Sequence, residues 1–167
     1  AMVRGSRITC NEKGVRFTCR FFDQVMDISI PVIGEHNVYN ALVAIAVGRI
    51  LGLTEHQLQR GLSQYHGMAM RQELVNIGEY TFVNDANNAN PASMSEALRT
   101  LSLLTKGRKI AVLGGMLELG DWTKIEHEKI GKEAANLQLD GLITLGEPAQ
   151  YIADAAKKEG LSPVYTV

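Results

Sequence analysis

Cysteine is scarce in this chain of 167 residues: Cys10 and Cys19 are the only two. They match no metal-ligand spacing, and two free thiols are expected rather than a disulfide. Neither sign of charge is in excess, with 17 Lys and Arg against 18 Asp and Glu and a formal net charge of −1. That balance offers no electrostatic argument for a nucleic-acid or membrane-surface partner, and none is expected. Long apolar runs are missing too. Ala41–Val47 is the longest, far short of the ~20 residues that cross a bilayer. No secretory leader is visible, so a soluble cytoplasmic protein is expected. Repeats and low-complexity tracts are absent. What is present is ordinary: 46% hydrophobic and 21% charged residues, the composition of a folded protein with one domain or two small ones.

Both ends read as cuts. Ala1-Met2 looks like a cloning remnant, and Ser162–Val167 stops inside a strand pattern. The chain is expected to be a piece of a longer protein.

Three segments organise it. Arg7–Cys10, Val15–Phe22 and Val25–Ile30 are short β-type runs, and the first spacer, Asn11-Glu12-Lys13-Gly14, has hairpin-turn chemistry. A small antiparallel sheet is expected there. Glu35–Leu51 follows as a helix with Val38, Leu42 and Ile45 on one face. Thr54 and Gln57 match a capping box that opens a second helix through Leu62. Gly61–Ala69 is a glycine-containing linker, which places a domain boundary between residues 67 and 68. Beyond it, strands and helices alternate. Glu73–Ile77 and Tyr80–Asn84 are strands around Gly78. Asn90-Pro91 is an N-cap followed by proline at the first helical position. Lys109–Leu113, Leu142–Leu145 and Pro163–Val167 are strands, with helices at Thr123–Leu137 and Pro148–Lys158. Apolar strands separated by helices predict an α/β, Rossmann-like, mostly parallel sheet with helices on both faces.

In such sheets ligands sit beyond the carboxyl ends of the strands. Two of those ends are polar or glycine-rich: Asn84-Asp85-Ala86-Asn87-Asn88-Ala89-Asn90, and Gly114-Gly115-Met116-Leu117-Glu118. Amides read both donors and acceptors of a ligand, and a carboxylate accepts from a ribose hydroxyl. The same residues also build plain strand-to-helix turns. Asn37 and Asn40 lie three apart at a helix start, suited either to a polar ligand or to capping the helix's own amides. No G-x-G-x-x-G, P-loop, H-E-x-x-H, zinc quartet or G-x-S-x-G is present. The chain therefore shows no nucleophile, no catalytic residue and no complete metal site.

Taken together, Gly34-x-His36-Asn37-x-x-Asn40-Ala41, Arg71 and Asp85-x-x-Asn88-Ala89-Asn90-Pro91 resemble the Mur ligase family. The run Ile110–Gly120, with Met116-Leu117-Glu118-Leu119-Gly120 and with His127 and Gly131 beyond, is similar to the branch that adds D-alanyl-D-alanine to a muramoyl tripeptide. The resemblance implies three domains, of which residues 1–67 would end the central ATPase domain and residues 68–167 would form most of the C-terminal one. It implies ATP with Mg2+ as cofactors, the P-loop, the magnesium carboxylate and a carbamylated lysine lying upstream. The substrates would be a UDP-N-acetylmuramoyl tripeptide and D-Ala-D-Ala, joined through an acyl phosphate, with a monomer expected. Asn37 and Asn40 would approach adenine with His36 nearby, Arg71 would reach ribose or phosphates, and Asp85 would accept from ribose hydroxyls. Asn87, Asn88, Asn90, Glu118 and His127 would shape the substrate or nucleotide cleft. Gly61–Arg71 would be the hinge that closes the C-terminal domain.

Two positions depart from the family pattern. Asn87 stands where a tyrosine is usual, and Gly115 where an aspartate is. Two rival readings follow from the residues: a Mur-type ligase with another acceptor, such as a polyglutamate or cyanophycin synthetase, and a Rossmann-like binding module without ligase chemistry.

Overall fold

The computed structural model describes residues 3–104 and 107–167; Ala1-Met2 lie outside them. The described chain forms two compact units, Ala1–Asn84 and Asp85–Val167.

The first unit opens with an antiparallel meander of β1 (Val3–Asn11), β2 (Gly14–Phe21) and β3 (Gln24–Ile30). Its inward face follows the two-residue period of a strand: Val15, Phe17 and Cys19 on β2, Met26, Ile28 and Ile30 on β3, all buried. The outward face is polar, and Thr18 donates to Asp27 Oδ1 across the pair at 2.8 Å. Helices α1 (His36–Ile50) and α2 (Glu55–Ser63) bury Val38, Ala41, Ile45 and Leu58 against the sheet. Thr54 and Gln57 form the expected capping box of α2. Cys19 is a free thiol, and burial pushes it above its ordinary pKa. Helix α1 is apolar nearly all round: Tyr39, Val43, Val47 and Ile50 form an exposed stripe at helical spacing.

The unit ends in a hairpin of β4 (Glu73–Ile77) and β5 (Tyr80–Asn84). Only Gly78-Glu79 separates the two strands, too short for a parallel crossover, so they pair with each other and not with the parallel sheet. The hairpin groups with the first compact unit, which ends at Asn84. The cause is visible upstream. A Cβ on Gly67 would lie 3.3 Å from Val32, and one on Gly34 would lie 2.9 Å from Gln72 Oε1. Segment 67–72 therefore lies against segment 32–34.

The second unit begins with α3 (Pro91–Leu103). Asn90 caps it, its Oδ1 accepting from Ser93 N at 2.9 Å, with Pro91 in the first turn. A parallel sheet follows in the order β6 (Ile110–Gly114), β7 (Gly141–Leu145), β8 (Val164–Thr166), with α4 (Thr123–Asn136) and α5 (Gln150–Lys158) as crossovers. Successive strands add in one direction, so right-handed crossovers put α4 and α5 on the same face. There Ala111, Leu142, Ile130, Ala134, Ile152 and Ala156 share one core with Met94 and Leu98 of α3. Among the described residues the opposite face is uncovered: Val112 is 62% and Tyr165 61% exposed, and Ile110 and Leu145 are also open. Helices thus cover one face, where the strand–helix pattern predicted both.

Helices α4 and α5 approach closely at Gly131. A Cβ there would run into the Ile152 carbonyl and come within 2.8 Å of Ala155 Cβ and 3.0 Å of Ala156 N. In an unpacked helix Gly→Ala stabilises by about 1 kcal/mol. Here the obstacle is backbone, which moves only if the helix pair separates. Gly131→Ala is expected to lower stability by about 2 kcal/mol or more, read as a fall in the thermal midpoint.

Candidate functional site

The first constellation is built where the chain leaves the meander and enters α1. Gly34 takes φ +94, a left-handed turn favoured by glycine, and a Cβ on it would meet the His36 ring at 2.5 Å as well as Gln72. The turn therefore brings the residue beside Arg71 over the head of α1. Two of the segments singled out in the sequence meet here, within one unit.

The asparagine pair is not used as an N-cap. The residue at the cap position, Glu35, makes no side-chain cap bond. Instead Asn37, 9% exposed, turns its amide inward and backward. Its Nδ2 donates to the Ile33 carbonyl at 2.8 Å and lies 3.1 Å from His36 Nε2, while its Oδ1 accepts from Asn40 Nδ2 at 3.2 Å. Both donor hydrogens of Asn37 are engaged and its Oδ1 already accepts one bond, so the buried amide keeps no donor for adenine. That corrects the role expected for it. His36 Nε2 acts as the acceptor in this contact, and His36 Nδ1 is buried without a partner among the described residues. Asn40 is exposed and keeps its Oδ1 and one N–H for a ligand.

Arg71 is exposed, and among the described residues its guanidinium makes no hydrogen bond or ion pair. It sits between two non-glycine residues in the left-handed region, Met70 at φ +59 and Gln72 at φ +48. Such backbone costs on the order of 1 kcal/mol per residue and persists only where neighbours hold it. Glu73 supplies one hold, accepting from Met70 N at 3.0 Å and from Asn84 Nδ2 at 3.4 Å. An arginine presented this way, with its charge unspent, suits a phosphate.

The second constellation follows the carboxyl ends of strands. Asp85 is half-buried, and Asn87 and Asn88 are exposed in the turn between β5 and α3. Asn90 is consumed as the cap of α3, one of the two roles its position allowed. After β6, the turn at Gly114–Leu119 leaves Leu117 and Glu118 exposed, with Glu118 at φ +63.

His127 does not belong to a cleft. It is fully buried on α4, and both ring nitrogens are engaged: Nε2 accepts from Met116 N at 2.9 Å and Nδ1 donates to the Thr123 carbonyl at 2.6 Å. Met116 itself is 1% exposed. The histidine clamps the glycine-rich turn onto the helix that follows it. Its spacing from Met116 carried no sequence signal, because the pairing depends on where the loop returns.

Gly115 also has a physical reason. A Cβ at that position would press on Pro148 Cβ at 3.1 Å and Cγ at 3.3 Å, so the aspartate usual there would need Pro148 to yield. Nothing in the structure explains Asn87. Among the described residues no group of three or more His, Cys, Asp or Glu side chains could hold a metal ion, and no helix is long and apolar enough to cross a membrane.

A family model described as Mur ligase, glutamate ligase domain, matches residues 70–167, and one described as Mur ligase middle domain matches residues 1–48. The chain belongs to the Mur ligase family. The UDP-N-acetylmuramoyl-tripeptide–D-alanyl-D-alanine ligase of Bacillus subtilis (strain 168) is 37% identical over 153 residues, which cover 90% of this chain and 33% of that protein. A crystal structure of MurF from Acinetobacter baumannii superposes with a TM-score of 0.87 at 30% identity, covering 99% of this chain and 36% of that one. The MurF ligase from Thermotoga maritima in complex with ADP shares the fold at a TM-score of 0.79 and 20% identity, covering 99% and 42%. The chain thus spans about a third of the length of the curated relatives it matches.

In this Mur ligase chain, His127→Ala would strand the buried Met116 amide and leave a cavity in the core. The expected loss of stability is about 3 kcal/mol, measured by denaturant unfolding.

Proposed function

We propose that this chain is part of an ATP-dependent ligase that joins D-alanyl-D-alanine to a UDP-N-acetylmuramoyl tripeptide in the cytoplasm. The observation that carries the reading is its 37% identity, across 90% of the chain, to a ligase of that name. The Met116-Leu117-Glu118-Leu119-Gly120 run supports the same branch.

In the full-length protein the tripeptide's terminal carboxylate attacks the γ-phosphorus of ATP. The bond to ADP breaks and an acyl phosphate forms. The dipeptide's amine then attacks the acyl carbon, a C–N bond forms, and inorganic phosphate leaves as the nitrogen gives up a proton. Chemistry of this kind is accelerated mainly by positioning and by charge stabilisation. The residues of this chain fit those tasks. Asn40 offers an amide to the base. Arg71 offers a planar cation to phosphate oxygens. Asp85 accepts from ribose hydroxyls. Asn87, Asn88 and Glu118 line the side that takes substrate. His36, Asn37, Asn90 and His127 hold the turns on which those residues stand. Mg2+ would neutralise charge on the ATP phosphates, with its protein ligands mostly outside this chain.

The full-length protein should release ADP and phosphate only when D-Ala-D-Ala is supplied with the UDP-linked tripeptide. Turnover with glutamate or another single amino acid in place of the dipeptide would overturn the acceptor assignment. Arg71→Ala is expected to raise the KM for ATP about tenfold or more, and Arg71→Lys to recover little of it, because an ammonium cannot reproduce the two-pronged contact.

A further inference from the structure

We infer that Glu73 is a positioning residue for Arg71: the left-handed residue between them keeps the two charges apart, so the carboxylate holds the arginine's turn and leaves its positive charge open to a phosphate. The inference rests on the proposed phosphate role of Arg71. It gives the carboxylate nearest to Arg71 along the chain a task other than neutralising it.

Residues two apart in an extended segment point to the same side. An arginine and a glutamate at that spacing are placed to pair, and a paired arginine attracts a further anion less. Arg71 and Glu73 have the spacing, but Gln72 between them takes φ +48, outside the extended region. The alternation is broken at that residue. Among the described residues Arg71 forms no ion pair with Glu73 or with any other carboxylate. A left-handed glutamine persists only where its surroundings hold it. Gln72 is buried, and a Cβ on Gly34 would lie 2.9 Å from its Oε1, so its side chain is wedged against the turn before α1.

Neutral donors engage the carboxylate instead. Met70 N and Asn84 Nδ2 both donate to one oxygen of Glu73, Oε2, at 3.0 and 3.4 Å. Met70 is the other left-handed residue beside Arg71. The Arg71 amide donates to the Met68 carbonyl at 3.3 Å and closes the turn. Glu73 is also the cross-strand partner of Asn84 in the β4–β5 ladder. Its side chain therefore ties the turn that carries Arg71 to the terminal pair of a regular hairpin. A hydrogen bond to an ionised acceptor is stronger than a neutral one, which suits a group that has to hold strained backbone.

The test measures KM for ATP and kcat of the full-length ligase, with a thermal midpoint for every variant. Glu73→Ala is expected to raise KM for ATP about fivefold or more while kcat changes by less than about threefold. In the Arg71→Ala background the same substitution should add less than about twofold, because no guanidinium is left to place. Glu73→Gln can set its amide oxygen where Oε2 lies and keep both bonds, so its KM should stay within about threefold of wild type. An unchanged KM in Glu73→Ala overturns the inference. An equal rise with and without Arg71 also overturns it, because Glu73 would then act on the fold alone. A KM that falls in Glu73→Gln would mean that the carboxylate restrains the arginine's charge, and one that rises as far as in Glu73→Ala would mean that charge and not position matters; either result overturns the inference. If Arg71→Ala itself leaves KM for ATP unchanged, the phosphate role of Arg71 falls, and the inference with it.

Discussion

A backbone polar group buried where a strand gives way to a helix must find a partner inside the protein, because water no longer reaches it. Both candidate regions of this chain are shaped by that demand. At the end of the meander the Ile33 carbonyl is satisfied by Asn37, four residues on. After β6 the Met116 amide is satisfied by His127, eleven residues on. In each case the partner is a side chain from the helix that follows, returning to hold the turn it has just left. The turns are thereby kept in one conformation, and the residues beside them, Asn40 in one and Leu117 and Glu118 in the other, are presented outward on a rigid support.

The same demand separates residues that hold from residues that face a ligand. Asn37 and Asn40 share a helix face, and His127 and Glu118 share a motif region. Only Asn40 and Glu118 are exposed. Around Arg71 the support is a carboxylate: Glu73 bonds the Met70 amide and steadies two left-handed residues that flank the arginine. A charge held out in this way, without a partner among the described residues, is available to a phosphate in a way that a salt-bridged arginine is not.

Local features were legible before the structure was known. The Thr54–Gln57 capping box, Asn90-Pro91 at the start of α3 and the tight turn at Gly78 depend on residues within a few positions of one another, and each is found in the structure. The buried positions Val38 and Ile45 followed from helical periodicity. Contacts between elements were not legible. The close approach of α4 to α5 at Gly131, the pressure of Pro148 on residue 115 and the bond from Met116 to His127 all join residues brought together only by the course of the chain. The one-sided packing of the parallel sheet belongs to the same class, since strand order decides on which face a crossover falls.

The order of strands and helices, their caps and the family to which the chain belongs were determined by the sequence alone, because propensity, periodicity and motif spacing act over short distances along it. Which member of each motif points outward was decided only by the tertiary structure. An amide or an imidazole has no fixed role until the fold decides whether a backbone group is waiting for it, and at Asn37 and His127 one was.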